Sequence, residues 1–370
     1  MLWLTPAFST TAGTAAGDLL AARLDEFERA NPGLTIVVRV KEDGGPGGLL
    51  ESLAAASQAA PASLPDLASL GAAALHDATL KELIVPLGEM VDAPSLPDWY
   101  PFAVEAAQVD GSLIGLPFAA DAEAFAYRSD GYPRPPAAWT DILDGPAPVL
   151  FPAGDPSAAF TLAQYLSLGG RLHDGDGRPV LDTELLRQVL EFYDSARRSG
   201  VLPLSAREYD NTAATWAALR DGRAYAATAS FGAFLAEHDP ASDSLQPLPT
   251  RDGSGTCIAD VWSWALVTRD PSRQEQALHL LAWLTEPGFL ADWTHALGLL
   301  PSSTAALALW PDGPQTATAN RLVTVARPRP TTEVLATFGP ALRTAVESVL
   351  AGDASPEAAA QAAALALQAP

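Results

Sequence analysis

From its first residues the chain alternates short apolar runs with stretches of helical period, and that alternation restricts it to a layered α/β fold. Leu2-Trp3-Leu4 is an apolar run broken by Pro6. A Ser/Thr/Gly stretch then leads into a helix predicted over 15–31, with Leu19, Leu20, Leu24 and Phe27 on one side and Arg23, Asp25, Glu26 and Arg29 on the other. Asn31-Pro32-Gly33 stops it. Leu34 to Val40 is rich in β-branched residues and reads as a buried strand, completing a first β-α-β unit. Further strands are predicted at 65–70, 124–128 and 148–151 and at 224–229. Helices are predicted near 99–110, over 157–168, 182–198, 211–221, 274–284 and 287–296, and at the C-terminus over 331–350 and 356–367. Asp110-Gly111 marks a hairpin turn within 109–118. The 370 residues, at roughly 150 per domain, make two units.

Charge narrows the functions open to such a fold. Lys plus Arg number 22 against 44 Asp plus Glu, a net charge of −22, so the surface repels phosphate backbones and nucleic acid is excluded as a partner. The single cysteine, Cys257, cannot close an internal disulfide, and the five histidines include no pair at metal-ligand spacing; no metal or cofactor is expected. The stretch from Trp293 to Pro311 lacks Asp, Glu, Lys and Arg but is interrupted by His295, Pro301 and Ser302-Ser303-Thr304, which excludes a membrane span there. Neither lysine follows a glycine, so there is no phosphate loop. The nucleophile elbow and the zinc-protease helix are also missing. Paired carboxylates such as Asp121 with Glu123, or Asp155 with Asp174, leave a glycoside-processing enzyme as an alternative.

The remaining feature is a set of rings expected beside strand ends: Phe118, Phe151, Phe231, Trp262 and Trp264, with small or acidic neighbours that include Asp260. A sugar offers an apolar C–H face to a ring and a rim of hydroxyls to carboxylates and backbone groups, so such a set suits a neutral polyol. Ser9, Thr10 and Thr11, expected at the first helix start, add hydroxyls or serve as a simple cap.

The order of segments resembles the extracellular solute-binding proteins of ABC importers, in the group that includes the maltose/maltodextrin-binding protein, over nearly the whole chain. The resemblance is carried by Phe27-Glu28-Arg29-Ala30-Asn31-Pro32-Gly33, Pro65-Asp66-Leu67, Asp110-Gly111 through Leu116-Pro117-Phe118, Pro136-Ala137-Ala138-Trp139 with Ile142-Leu143, and Ala282-Trp283-Leu284 through Gly298-Leu299-Leu300-Pro301. It implies a two-lobed, clam-shell α/β fold with a hinge of two or three crossovers, lobe I being 1–119 plus 262–310 and lobe II 120–261 plus 311–370. It also implies a non-enzymatic protein that closes over a solute in the interlobe cleft and delivers it to an ABC permease. Asp121 then falls where a sugar-binding carboxylate is expected. Phe151 with Asp155 matches a strand-end loop in which Ser157 replaces an aromatic, and Phe231 stands where a stacking Trp is expected. Trp262 and Trp264 become platforms near the second crossover. The ligand expected is a mono- to oligosaccharide. A polyamine or a phosphodiester stays open, although an anion would want Arg or Lys and none flanks these residues closely. A monomer is expected, periplasmic or lipid-anchored at the cell surface, with its signal peptide absent from this sequence.

Overall fold

The computed structural model describes residues 1–11, 13–88, 90 and 98–368. In chain order the first elements are β1 (Leu2–Leu4), α1 (Ala15–Ala30), β2 (Val38–Val40), α2 (Leu49–Ala59), β3 (Leu67–Gly71), α3 (Ala72–Leu80) and α4 (Pro101–Ala106). Next come β4 (Gln108–Val109), β5 (Ser112–Leu113), β6 (Leu116–Arg128), α5 (Trp139–Leu143), β7 (Val149–Leu150), α6 (Ala159–Ser167), α7 (Thr183–Arg198) and α8 (Thr212–Arg220). They are followed by β8 (Ala226–Ser230), α9 (Phe231–Glu237), β9 (Asp243–Gln246), β10 (Cys257–Leu266), α10 (Pro271–Leu284) and α11 (Pro287–Leu297). The last are β11 (Leu300–Pro301), α12 (Thr304–Leu307), α13 (Pro314–Val325), β12 (Ala326–Pro328), α14 (Thr332–Ala351) and α15 (Pro356–Ala366).

The chain divides into two compact units, Met1–Asp121 with Ala259–Ala319, and Ala122–Ile258 with Asn320–Pro370. It therefore passes from one to the other three times, within β6, within β10 and within α13.

In the first unit the strand order is β2-β1-β3-β10, with β1 parallel to both β2 and β3. β10 runs antiparallel to β3, Trp262 lying opposite Gly71. α1 is capped by Thr14, whose hydroxyl accepts from the Gly17 amide, so the cap falls later than Ser9 to Thr11. The helix buries Leu20, Leu24 and Phe27 at i, i+4, i+7 and closes where the Asn31 side chain donates to the Phe27 carbonyl. The buried strand expected over Leu34 to Val40 is corrected to three residues on a sheet edge. β1 offers partners only from Leu2, which lies opposite Val38, while the Leu34 amide bonds back to Asn31 and the Ile36 amide to the Glu28 carboxylate. Asp110 and Gly111 both take positive φ, 50° and 77°, as a two-residue hairpin with right-handed strand twist requires.

In the second unit β6 pairs antiparallel with β8 and β9, and β7 runs parallel to β8. The strand expected at 124–128 proves to be the end of a thirteen-residue β6. α7 buries Leu186, Val189, Leu190 and Tyr193, and Asp182 caps its first turn by accepting from the Glu184 and Leu185 amides. α14 is long and apolar enough to cross a membrane, but its Phe338, Leu342, Val346 and Val349 face is buried and packs on α6, α7 and α15, as in a core helix.

Candidate functional site

Strand direction decides where each unit can hold a ligand, because open α/β sheets bind beyond the carboxyl ends of their strands. In the first unit that edge carries the loops after Leu4, Val40 and Gly71. β10 enters at the same edge, since it is antiparallel to β3, and β6 leaves the unit at Asp121. In the second unit Ser230, at the end of β8, lies opposite Glu123, near the start of the β6 segment, and β7 ends at the same edge.

At the first edge, Ser9 is buried and turned inward. Its hydroxyl accepts from the Thr11 amide at 3.1 Å and lies 2.9 Å from the Thr11 hydroxyl. Gly17 lets α1 approach this loop: a β-carbon there would lie 2.8 Å from the Ser9 carbonyl oxygen. Thr10 is half-buried and Thr11 exposed, and Asp121 and Asp260 are both half-buried.

The rings separate into two groups. Phe118 and Trp264 lie within β6 and β10, not in loops, and both are 0% exposed. Phe118 stacks on Trp264 at 4.5 Å and on Trp293 at 5.3 Å and meets Phe8 edge-on. These are core rings with no face left to offer, and the platform expectation for both is corrected accordingly. Trp262, two residues before Trp264 on the same strand, is half-buried. Phe8 packs against one part of it at 5.7 Å, and its indole nitrogen would lie 3.6 Å from a β-carbon placed on Gly71.

In the second unit Phe151 is 4% exposed and stacks on Phe160 at 4.5 Å and Tyr193 at 4.9 Å, a core position again. Phe231 opens α9 directly after β8, at the strand end expected, but has no exposed surface. Asp155 is engaged locally. Its carboxylate accepts from the Ser157 amide, the Ser157 hydroxyl and the Ala159 amide, closing the first turn of α6 around Ala158 in the left-handed region. α14 presses on this turn, since a β-carbon on Gly339 would come within 2.5 Å of the Pro156 carbonyl oxygen. Asp155 and Ser157, both half-buried, therefore hold the loop together.

Sequence reasoning passed over Thr5 and Asp43. Thr5 follows β1 and is buried; its amide donates to the Ser69 hydroxyl. Burial raises the Asp43 carboxyl above its ordinary pKa, a hydrogen bond from the facing Thr5 hydroxyl lowers it, and the neighbouring Glu42 charge raises it further. The signal available in the sequence was positional: both residues follow the first two parallel strands. Elsewhere, burial pushes the Cys257 thiol up to about 12, and its Sγ donates to the Leu322 carbonyl. Among the described residues no group of three or more His, Cys, Asp or Glu could hold a metal ion.

Two parallel-edged α/β units joined by three crossings define a solute-binding protein fold. The bacterial extracellular solute-binding protein family model matches residues 22–321, and the chain belongs to that family, whose members bind solutes in extracytoplasmic space and are not enzymes. Among solved structures, it is similar to a cyclic α-maltosyl-1,6-maltose binding protein from Arthrobacter globiformis, with a TM-score of 0.79, 18% identity and 99% and 97% of the two chains covered. It is also similar to a putative oligosaccharide periplasmic-binding protein from Synechococcus sp. MITs9220, with a TM-score of 0.77, 19% identity and coverage of 99% and 97%. The sugar-binding protein MalE from Xanthomonas citri gives a TM-score of 0.75 at 20% identity, covering 98% and 95%. No curated protein matches the chain.

Proposed function

We propose that this protein is the solute receptor of an ABC importer and that its solute is a saccharide, from one to a few sugar units. The observation that carries the reading is Trp262: of the five rings expected to stack on a sugar, it is the one that is half-buried and not sealed into a core. It stands at the strand-end edge where Thr10, Thr11, Asp121 and Asp260 supply hydroxyls and carboxylates. An indole with an accessible face beside such acceptors satisfies both sides of a pyranose at once. The family match and the saccharide-binding descriptions of the three similar structures support the same reading. A receptor of this kind acts by population shift: the solute binds one of its states more tightly, and the transporter recognises that state. Export with a lipid-anchored N-terminus, work as a monomer and docking on permease subunits belong to this proposal.

The test is a thermal-shift screen over mono- to tetrasaccharides. A ligand that binds only the native state at a hundredfold excess over its Kd adds about 2.7 kcal/mol of stability. At least one saccharide should raise the melting temperature, and Trp262→Ala should weaken that hit by about 1–3 kcal/mol. Silence across the saccharides with a shift for an unrelated solute would overturn the reading.

A further inference from the structure

How many sugar units the protein can grip follows from where its rings go. All nine Trp, seven Tyr and twelve Phe lie among the described residues, so every stacking face of the chain can be placed. Apart from Trp262, the rings that are not buried are engaged or placed elsewhere.

In the first unit Trp283, near the end of α10, lies under the Arg23 guanidinium at 4.1 Å, and its indole nitrogen donates to the Arg23 carbonyl. Trp99 and Tyr100 stand beside the start of β6, not at the edge where β6 leaves the unit. The Trp99 indole donates to the Pro117 carbonyl at 2.6 Å, and the Tyr100 ring stacks on Phe102 at 6.0 Å. In the second unit Phe192 stacks on Trp139 at 4.8 Å with 10° between planes. Tyr225 precedes β8, and its amide donates to the Pro148 carbonyl ahead of β7, which puts it at the amino ends of these strands. Tyr209 approaches the carboxyl edge, its carbonyl accepting from the Gly154 amide past β7. Its hydroxyl, however, accepts from Arg223, a residue ahead of β8, at 3.2 Å. Phe151 and Phe231, which do follow β7 and β8 at that edge, are sealed.

The first unit therefore offers one ring at its carboxyl edge and the second unit none. A pyranose is gripped when its C–H face stacks on a ring and its hydroxyls bond around the rim. A sugar unit placed without a ring trades hydroxyl–water bonds for hydroxyl–protein bonds, a near-even exchange. Ordering each further linkage adds its own cost. A chain of sugars thus gains from its length only where rings continue along it.

Resting on the saccharide reading, we infer that the solute is a mono- or disaccharide, with one sugar ring stacked on Trp262 and any neighbouring unit met by polar groups alone.

Calorimetric titration with linear oligomers of glucose, mannose, galactose and xylose, one to four units long, tests this. In the series that binds, the Kd should reach its floor at one or two units, and the third and fourth should change it less than about threefold. Trp262→Ala should weaken every length by the same factor, about fivefold or more. Tyr209→Ala should leave every length as in the parent. A Kd that falls about tenfold with each unit beyond the second, or a loss in Tyr209→Ala confined to the longer members, overturns the inference while the saccharide reading stands. No binding in any series overturns both.

Discussion

Trp262 and Trp264 share a strand and a residue type yet are assigned opposite roles, and the contrast can be measured. Trp264 is 0% exposed and stacks on Phe118 at 4.5 Å with 23° between planes. It lies 6.1 Å from Trp293 with 8° between planes. Truncating a buried tryptophan to alanine costs about 3–5 kcal/mol in transfer and cavity terms. Trp264→Ala should therefore lose about 4 kcal/mol and on the order of 10 °C in Tm, at the few degrees per kcal/mol expected of a unit this size. The indole nitrogen of Trp264 is also buried without a partner. Phenylalanine removes that orphan donor, worth about 1–3 kcal/mol, while leaving a smaller void than alanine does. Trp264→Phe should accordingly stay within about 1 kcal/mol of the parent. Trp262→Ala, by contrast, should cost little stability and most of its effect in affinity. Urea unfolding, with ligand titration on the same three variants, separates these outcomes. If Trp264→Ala lost less than about 1 kcal/mol, or weakened ligand without destabilising the fold, the core assignment of the Phe118–Trp264–Trp293 stack would be refuted.

Gly339→Ala should destabilise by about 1–3 kcal/mol, because its methyl meets backbone of the Pro156–Ser157 turn, not a side chain that could swing away; a melting curve unchanged from the parent would contradict that packing. Asp155→Ala should remove about 1–2 kcal/mol by freeing the first turn of α6, read by chemical denaturation, with saccharide affinity unchanged once folded. Asp252, which accepts from Ser254 and Thr250, is held down to about 2, below its unfolded value, so its stabilisation is present above about pH 4 and lost as pH falls towards 2. Asp252→Asn should thus narrow the stability difference between the neutral and acidic ends of an acid titration. Asp43 has the opposite sign: its raised pKa makes the ionised form a burden that appears as pH rises through the folded value. Asp43→Asn should be more stable than the parent at neutral pH, with the gap closing on acidification. A variant less stable at neutral pH would refute the assigned direction.

The helices were legible because their signals are local. α1 and α7 show apolar spacing and end at residues that cap or break, and Asp110-Gly111 can hardly be read as anything but a two-residue turn. β10 was not legible as a strand. Its Asp260-Val261-Trp262-Ser263-Trp264 alternates and Asp252-Gly253-Ser254-Gly255 stands just before it, but its partner β3 lies nearly two hundred residues away in sequence. The same distance hid the fate of the rings. Whether Phe118 is a platform or a core residue is decided by Phe8, Trp264 and Trp293, which arrive from three separate segments. Asp155 looked available to a ligand because nothing in its neighbours' identities announces that Ala158 turns left-handed and folds three donors onto its carboxylate.

Asp155 and Asp43 both follow strands at a carboxyl edge, and the fold treats their charges differently. At Asp155 the fold supplies donors in plenty, all from its own loop, so the charge is answered before any ligand arrives. At Asp43, exposed on its loop, the balance differs: partial burial of the carboxyl and the neighbouring Glu42 charge raise its pKa, and one hydrogen bond from the Thr5 hydroxyl lowers it. An Asp43→Asn variant no more stable than the parent at neutral pH would remove this contrast between the two carboxylates.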